Sequence, residues 1–104
     1  MTYERMTAAP AREVLRLAEE ILTERLPLSR TGGDHHSVTL SGGDGTVTIT
    51  VHRHGLETQV HAATDQLRTS RLDYDVQYLM TMLPYQPGDV RGAGAALPGA
   101  LSRS

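Results

Sequence analysis

The chain has 104 residues, a formal net charge of −2 and no cysteine, which is the size of a single domain. It lacks an apolar run near the roughly 18 residues of a membrane-spanning helix, and its charge balance disfavours nucleic-acid binding, which normally needs a basic face. Because the first residues also lack the apolar stretch of a signal peptide, we expect a cytoplasmic protein that binds neither membranes nor nucleic acids.

The segment from Thr7 to Leu26 has the spacing of an amphipathic helix. Pro10 suits the first turn of a helix, Thr7 is a candidate cap, and Pro27 ends the segment. The apolar positions recur every three or four residues: Val14, Leu17, Ala18, Ile21 and Leu22. Residues 29–34 follow, and the adjacent Gly32 and Gly33 predict a loop there.

Three segments then alternate between apolar and polar residues, which is typical of half-buried strands. They are residues 35–40, 46–52 and 56–62. A turn at residues 42–45 predicts that Ser41 faces Thr46, Leu40 faces Val47, and Val38 faces Ile49. A second turn at His54 and Gly55 predicts that Arg53 faces Leu56, Val51 faces Thr58, Ile49 faces Val60, and Val47 faces Ala62. In this arrangement His36 points into the core beside Val51.

A second helix is predicted to begin after Ser70, which forms a capping box with Asp73. Its apolar stripe consists of Leu72, Val76, Leu79 and Leu83, and Pro84 ends it. The pattern of residues 63–70 is compatible with either a loop or a short fourth strand. Residues 84–104 are rich in Gly, Ala and Pro and show no periodicity, so we expect a disordered tail after a single domain formed by residues 1–83.

These elements predict an α+β fold with two layers and the order α-β-β-β-α. Three strands form an antiparallel meander, and both helices cover its apolar face. The sequence has no Lys, Asn, Phe or Trp, a composition that we interpret as that of a GC-rich bacterial genome. The core is therefore aliphatic and small, and contact with a partner or a second copy would add to its stability.

The second helix carries the first candidate functional surface. Tyr74, Tyr78 and Met82 lie on the side opposite the apolar stripe, and Tyr and Met are enriched in interface cores. Either the first helix covers these residues within the same chain, or a partner does. Our leading interpretation is a small non-catalytic protein-binding module of adaptor, chaperone-like or regulatory type, which acts through this helix and forms a homodimer.

The histidines form the second candidate. All five lie between positions 35 and 61, and the predicted register places His35, His52 and Glu57 in one row with His54 nearby. Imidazoles and a carboxylate are ligands that zinc and other divalent metals accept. The alternative function is therefore a small metal-binding protein or metal-dependent enzyme. The sequence has no nucleophile elbow and no evident pair of catalytic carboxylates, so we otherwise expect no enzyme activity and no cofactor.

Overall fold

Five strands and two helices make up residues 1–84, the part of the chain that the computed structural model describes. They are β1 (Thr2–Thr7), α1 (Ala11–Arg25), β2 (Leu28–Asp34), β3 (Ser37–Gly42), β4 (Gly45–His54), β5 (Glu57–Thr64) and α2 (Arg71–Met82). Within this part, no helix combines the length and the apolar character that crossing a membrane requires. The predicted tail lies outside the described residues except for Pro84.

The strands form one antiparallel sheet in the order β1-β5-β4-β3-β2. Successive side chains of a strand point to opposite faces, so buried residues alternate with half-buried or exposed ones along most of β3, β4 and β5. The buried apolar residues of these strands are Val38, Leu40, Val47, Ile49, Val51, Val60 and Ala62. α1 packs on β2, β3 and β4, whereas α2 packs on β5 and against α1. The predicted α+β class and the two helices are confirmed.

The sheet has five strands instead of the predicted three, because both edge strands carry weak sequence signals. In β1 the residues that face the helices include Tyr3 and Thr7. Because both side chains end in a hydroxyl group, the sequence does not show a clear alternation of apolar and polar residues there. β2 buries only Leu28 and contains Gly32 and Gly33, which are rare in strands. β2 is therefore held to β3 by backbone pairing, with an irregularity between Arg30 and Gly32.

The first helix begins later than predicted, and the second begins where predicted. Pro10 is the N-cap of α1 and makes no side-chain capping bond. Thr7 is the last residue of β1, where its buried hydroxyl donates to the carbonyl oxygen of Pro84 at 2.6 Å. At α2 the Ser70 hydroxyl accepts from the backbone N–H of Asp73 at 3.0 Å, so the predicted cap is confirmed. Residues 65–70 form no strand.

The register of β3 on β4 is confirmed, since Val38 faces Ile49 and Leu40 faces Val47. The predicted register of β4 on β5 is wrong by two residues. His54 pairs with Glu57, so the turn consists of Gly55, which has a φ of 63°, and Leu56, which is 89% exposed. Glycine adopts this left-handed conformation without steric cost.

The two-residue shift changes every partner between these strands. Arg53 faces Thr58, Val51 faces Val60, Ile49 faces Ala62, and Val47 faces Thr64. Because the shift is an even number of residues, each side chain still points to the predicted face. His36 was predicted to point inward, but it is exposed, because β3 begins only at Ser37 and His36 belongs to the turn before it.

Candidate functional site

α2 presents two sides of different character. Leu72, Val76, Leu79 and Leu83 are almost completely buried against the sheet and α1. Tyr74 is 66% exposed, Tyr78 is 37% exposed and Met82 is 49% exposed. These three residues, which we call the α2 stripe, are spaced by four positions and therefore lie along one face of the helix. α2 therefore exposes three large apolar side chains to solvent in addition to the apolar side that it buries.

The last residue of α1 reaches the edge of this stripe. The Arg25 guanidinium carbon lies 4.1 Å from the centre of the Tyr78 ring, a distance suited to a cation–π interaction. The same guanidinium donates from Nε to Oδ1 of Asp75 at 3.0 Å. α1 thus fixes one side of Tyr78 and leaves Tyr74 and Met82 largely uncovered.

Asp75 is the buried partner in this contact, since its side chain is only 5% exposed whereas that of Arg25 is 37% exposed. From sequence, Asp75 is an acidic residue that suits the positive end of the helix dipole. Its pairing with Arg25 was missed, because the two residues are 50 positions apart and only the packing of α1 on α2 brings them together.

A second buried carboxylate anchors the beginning of α2. Asp73 is fully buried and accepts hydrogen bonds from the hydroxyls of Tyr3, Thr64 and Ser70 at 2.7 to 2.9 Å. Burial, together with the hydrogen bond to Asp73, raises the pKa of the Tyr3 phenol. Ser70 was predicted as the cap. Tyr3 and Thr64 were missed, because they reach Asp73 from β1 and β5.

The observed register separates the histidines that the sequence predicted to lie together. His52 pairs with Gln59, and His54 pairs with Glu57, while His54 Nε2 lies 3.3 Å from the Gln59 side-chain oxygen. His35 belongs to the turn between β2 and β3 and lines a cleft together with His52. Within residues 1–84, no group of three or more histidine, aspartate or glutamate side chains is placed to hold a metal ion.

Arginines stand near His35 and His52, the two predicted metal ligands that share a cleft. Arg12 and Arg53 line the same cleft as His35 and His52. Their positive charges oppose the binding of a cation, because like charges a few ångströms apart repel. The predicted metal residues are thus distributed over two places.

The α2 stripe offers apolar and aromatic contact area and carries no metal-ligand set. Tyr74, Gln77, Tyr78 and Thr81 line a shallow groove on it. Comparisons of the chain with protein-family models, with curated proteins and with solved structures found no match. In residues 1–84, α2 exposes large apolar and aromatic side chains, whereas α1 exposes none.

Proposed function

We propose that this chain is a non-catalytic protein-binding module that acts through the α2 stripe, and that the stripe joins two copies of the chain in a homodimer. The observation that supports the proposal is the exposure of Tyr74, Tyr78 and Met82 on a helix whose other side is already buried. A helix that is apolar on two sides needs a second surface to cover the exposed side. Adaptor, chaperone-like and regulatory proteins are the classes to which we assign such a non-catalytic module.

The absence of charge along the C-terminal part of α2 supports this proposal. Between Val76 and Pro84 no residue carries a charge. The outer surface of α1 is different, because there Arg16 forms ion pairs with Glu13 and Glu20. Depletion of charge together with enrichment of Tyr and Met is the compositional mark of an interface core. α2 therefore differs from a solvated helix on the same molecule.

The spacing of the stripe suits a twofold-symmetric contact. A twofold interface requires that each contact occur twice with the partners exchanged. When two α2 helices pack antiparallel about an axis at Tyr78, Tyr74 meets Met82 of the partner subunit, because both residues lie four positions from Tyr78. Thioether–aromatic contacts of this kind are favourable. The two Tyr78 rings then lie at the centre of the interface.

Charge does not oppose this arrangement. Arg71 is exposed on the same face as the stripe, seven positions before Tyr78. In an antiparallel pair the two Arg71 residues are about 20 Å apart along the helix axes. This distance exceeds the screening length of about 8 Å at physiological salt. The ion pair of Arg25 with Asp75 additionally holds Tyr78 in place before association, which lowers the entropy cost of binding.

Sedimentation of the complete chain tests the proposal. We expect a dimer for the wild type and a monomer with unchanged circular dichroism for Tyr78→Arg. Tyr74→Arg is the second variant, because Tyr74 is more exposed and its replacement leaves the contact of Arg25 with Tyr78 intact. Leu56→Arg is the matched control, since it places the same charge on an exposed apolar residue of the β4–β5 turn and is expected to remain dimeric.

Two results would contradict the homodimer. The first is a wild type that sediments as a monomer over the whole accessible concentration range. The second is loss of the dimer in Leu56→Arg to the same extent as in Tyr74→Arg, which would show a general effect of charge.

A further inference from the structure

A cleft near the beginning of α1 has an exceptional concentration of basic side chains. Its volume is about 470 Å³, within the range of small-molecule sites. Two arginines and three histidines line it: Arg12, Arg53, His35, His36 and His52. We propose that this cationic cleft binds a small organic phosphate. The cleft is distinct from the α2 stripe, so this proposal does not depend on the homodimer.

No acidic residue lines the cleft to balance the charge of its basic side chains. The chain as a whole contains more acidic than basic residues, yet the cleft contains no Asp or Glu. Elsewhere Arg16, Arg25 and Arg30 each have a carboxylate within ion-pair distance. Within residues 1–84, neither Arg12 nor Arg53 forms such an ion pair. The positive charge of the cleft is thus available to an anion.

Two acidic residues adjoin the lining in the sequence, Glu13 and Asp34, and each has another partner; Glu13 forms an ion pair with Arg16. Asp34 lies in the same turn as His35 and His36, and its Oδ1 accepts from the backbone N–H of His36 at 2.8 Å and from the Ser37 hydroxyl at 3.2 Å. The hydrogen bond from His36, followed by that from Ser37, lowers the pKa of Asp34. The Asp34 carboxylate therefore shapes the turn.

Arg53 is positioned before any ligand arrives. Its guanidinium donates to the Thr58 hydroxyl at 2.9 Å and to the Gly55 carbonyl oxygen at 3.2 Å. Thr58 is itself fixed, because its buried hydroxyl donates to the carbonyl oxygen of Ala9 at 2.7 Å. A guanidinium has five N–H donors, so three of them remain for an anion. A held arginine loses less conformational entropy on binding than a free one.

The histidine turn is also anchored. The backbone N–H of Val51 donates to the carbonyl oxygen of His36 at 2.9 Å, which ties the turn to β4. The His35 and His36 rings are 4.0 Å apart between centres. Ala11 and Arg12, from the first turn of α1, also line the cleft, so the positive end of the helix dipole adds to the field of the side chains.

The lining indicates the chemical class of the ligand. Arginine binds phosphate oxygens in pairs through parallel N–H bonds, and histidine adds further donors. Pro10 and Ala11 contribute accessible apolar atoms that suit the organic part of a phosphomonoester. Long nucleic acids need an extended basic surface, whereas here the first turn of α1 continues into the acidic Glu13. A small phosphomonoester fits this cleft better than a polyanion.

Titration of the full-length protein with inorganic phosphate and with a nucleoside monophosphate, at constant ionic strength, tests the site. We expect saturable amide shifts at residues 11–12, 35–36 and 51–53 in heteronuclear NMR spectra. Arg12→Gln and Arg53→Gln should each weaken binding about tenfold, because each removes a charge-assisted contact. Arg68→Gln, which removes the same charge from the loop before α2, should change affinity by less than about twofold.

Other outcomes would overturn the proposal. Equal weakening by Arg12→Gln and Arg68→Gln would show attraction to net charge alone. Since Arg53 also makes internal hydrogen bonds, Arg12→Gln, whose wild-type side chain is exposed, decides the matter if Arg53→Gln unfolds. Tighter binding of a short single-stranded DNA than of the mononucleotide would contradict the small-ligand assignment.

Discussion

The hydroxyl of Tyr3 donates a hydrogen bond of 2.7 Å to Oδ2 of Asp73, which connects β1 with α2 across 70 positions of the sequence. Thr64, the last residue of β5, donates to the same carboxylate. One buried carboxylate therefore joins the edge strand, its neighbouring strand and the helix that carries the α2 stripe.

Replacement of Tyr3 by phenylalanine should lower the free energy of unfolding by on the order of 1–3 kcal/mol, because hydrogen bonds to buried charged groups are among the strong ones. Urea denaturation of both proteins measures the difference. Tyr74→Phe is the control, since it removes the same hydroxyl from an exposed residue and should change stability by less than about 0.5 kcal/mol. Equal stability of Tyr3→Phe and wild type would show that Asp73 needs no bond from Tyr3.

The raised pKa of Tyr3 predicts a change of stability in alkaline solution. The folded protein holds the phenol proton more tightly than the unfolded chain, whose tyrosines titrate near pH 10. The contribution of Tyr3 is therefore complete below about pH 10 and is lost as the pH rises through the folded value. When the free energy of unfolding is measured against pH, Tyr3→Phe should lose less of it in alkaline solution than the wild type does. Parallel curves for the two proteins would contradict this linkage.

Asp65 should contribute in acid. Its Oδ1 accepts from the backbone N–H of Thr46 at 2.9 Å, and this bond, followed by that from Gln66, lowers the pKa of Asp65. A lowered pKa stabilises the fold above the unfolded value of about 4 and ceases to do so as the pH falls through the folded value. Asp65→Asn should be less stable than wild type near pH 7, and the two should converge in acid.

Asp44→Asn is the matched control for this pH dependence, because it removes the same charge from the turn between β3 and β4. Thermal unfolding at several pH values gives the comparison. A difference between wild type and Asp65→Asn that persists unchanged in strong acid would exclude the charge of Asp65 as the cause.

Ile49 tests the centre of the core. It is completely buried on β4 between Val38 of β3 and Ala62 of β5. Ile49→Ala should reduce the free energy of unfolding by about 2–5 kcal/mol through lost burial and the cavity that remains. Thr48→Ala alters the neighbouring residue on the opposite face and should cost about 1 kcal/mol or less. If chemical denaturation shows similar losses of unfolding free energy for both variants, the buried face of β4 has been assigned incorrectly.

The ion pair of Arg25 with Asp75 should matter more than the pairs on the outer face of α1. Arg25→Gln leaves a nearly buried carboxylate without its cation, which we expect to cost on the order of 1–3 kcal/mol because Arg25 itself is partly exposed. Arg16→Gln breaks two exposed ion pairs and should cost about 1 kcal/mol or less. Denaturation curves of the two variants that coincide would refute this ranking.

The sequence predicts those parts of the fold in which local pattern and tertiary packing agree. The hairpin of β3 and β4 has strict alternation on both strands, and a slip by one residue would expose Val38 and Ile49, so its register is determined. The cap of α2 is likewise local, because Ser70 and Asp73 are three positions apart. In both cases neighbouring residues in the chain carry the information.

The features that the sequence did not predict depend on contacts between distant segments. β1 pairs with β5, about 60 residues later, and only this pairing identifies Tyr3 and Arg5 as residues of a strand. The turn between β4 and β5 allows Gly55 at either of two positions, and both choices bury the same face, so alternation cannot decide between them. The pairs Tyr3–Asp73 and Arg25–Asp75 likewise arise only in the folded chain.

The sheet order has a consequence for synthesis on the ribosome. β1 is made first, but its only neighbour in the described sheet, β5, is the last strand to be made. At roughly 5–20 residues per second, β1 waits several seconds with its backbone unpaired while α1 and three strands are added. The meander from β2 to β5 can assemble as each strand appears, whereas closure by β1 follows as a late, long-range step. Until β5 has been made, the β1 segment therefore lacks its neighbour in the sheet and is open to chaperones and to pairing with other chains.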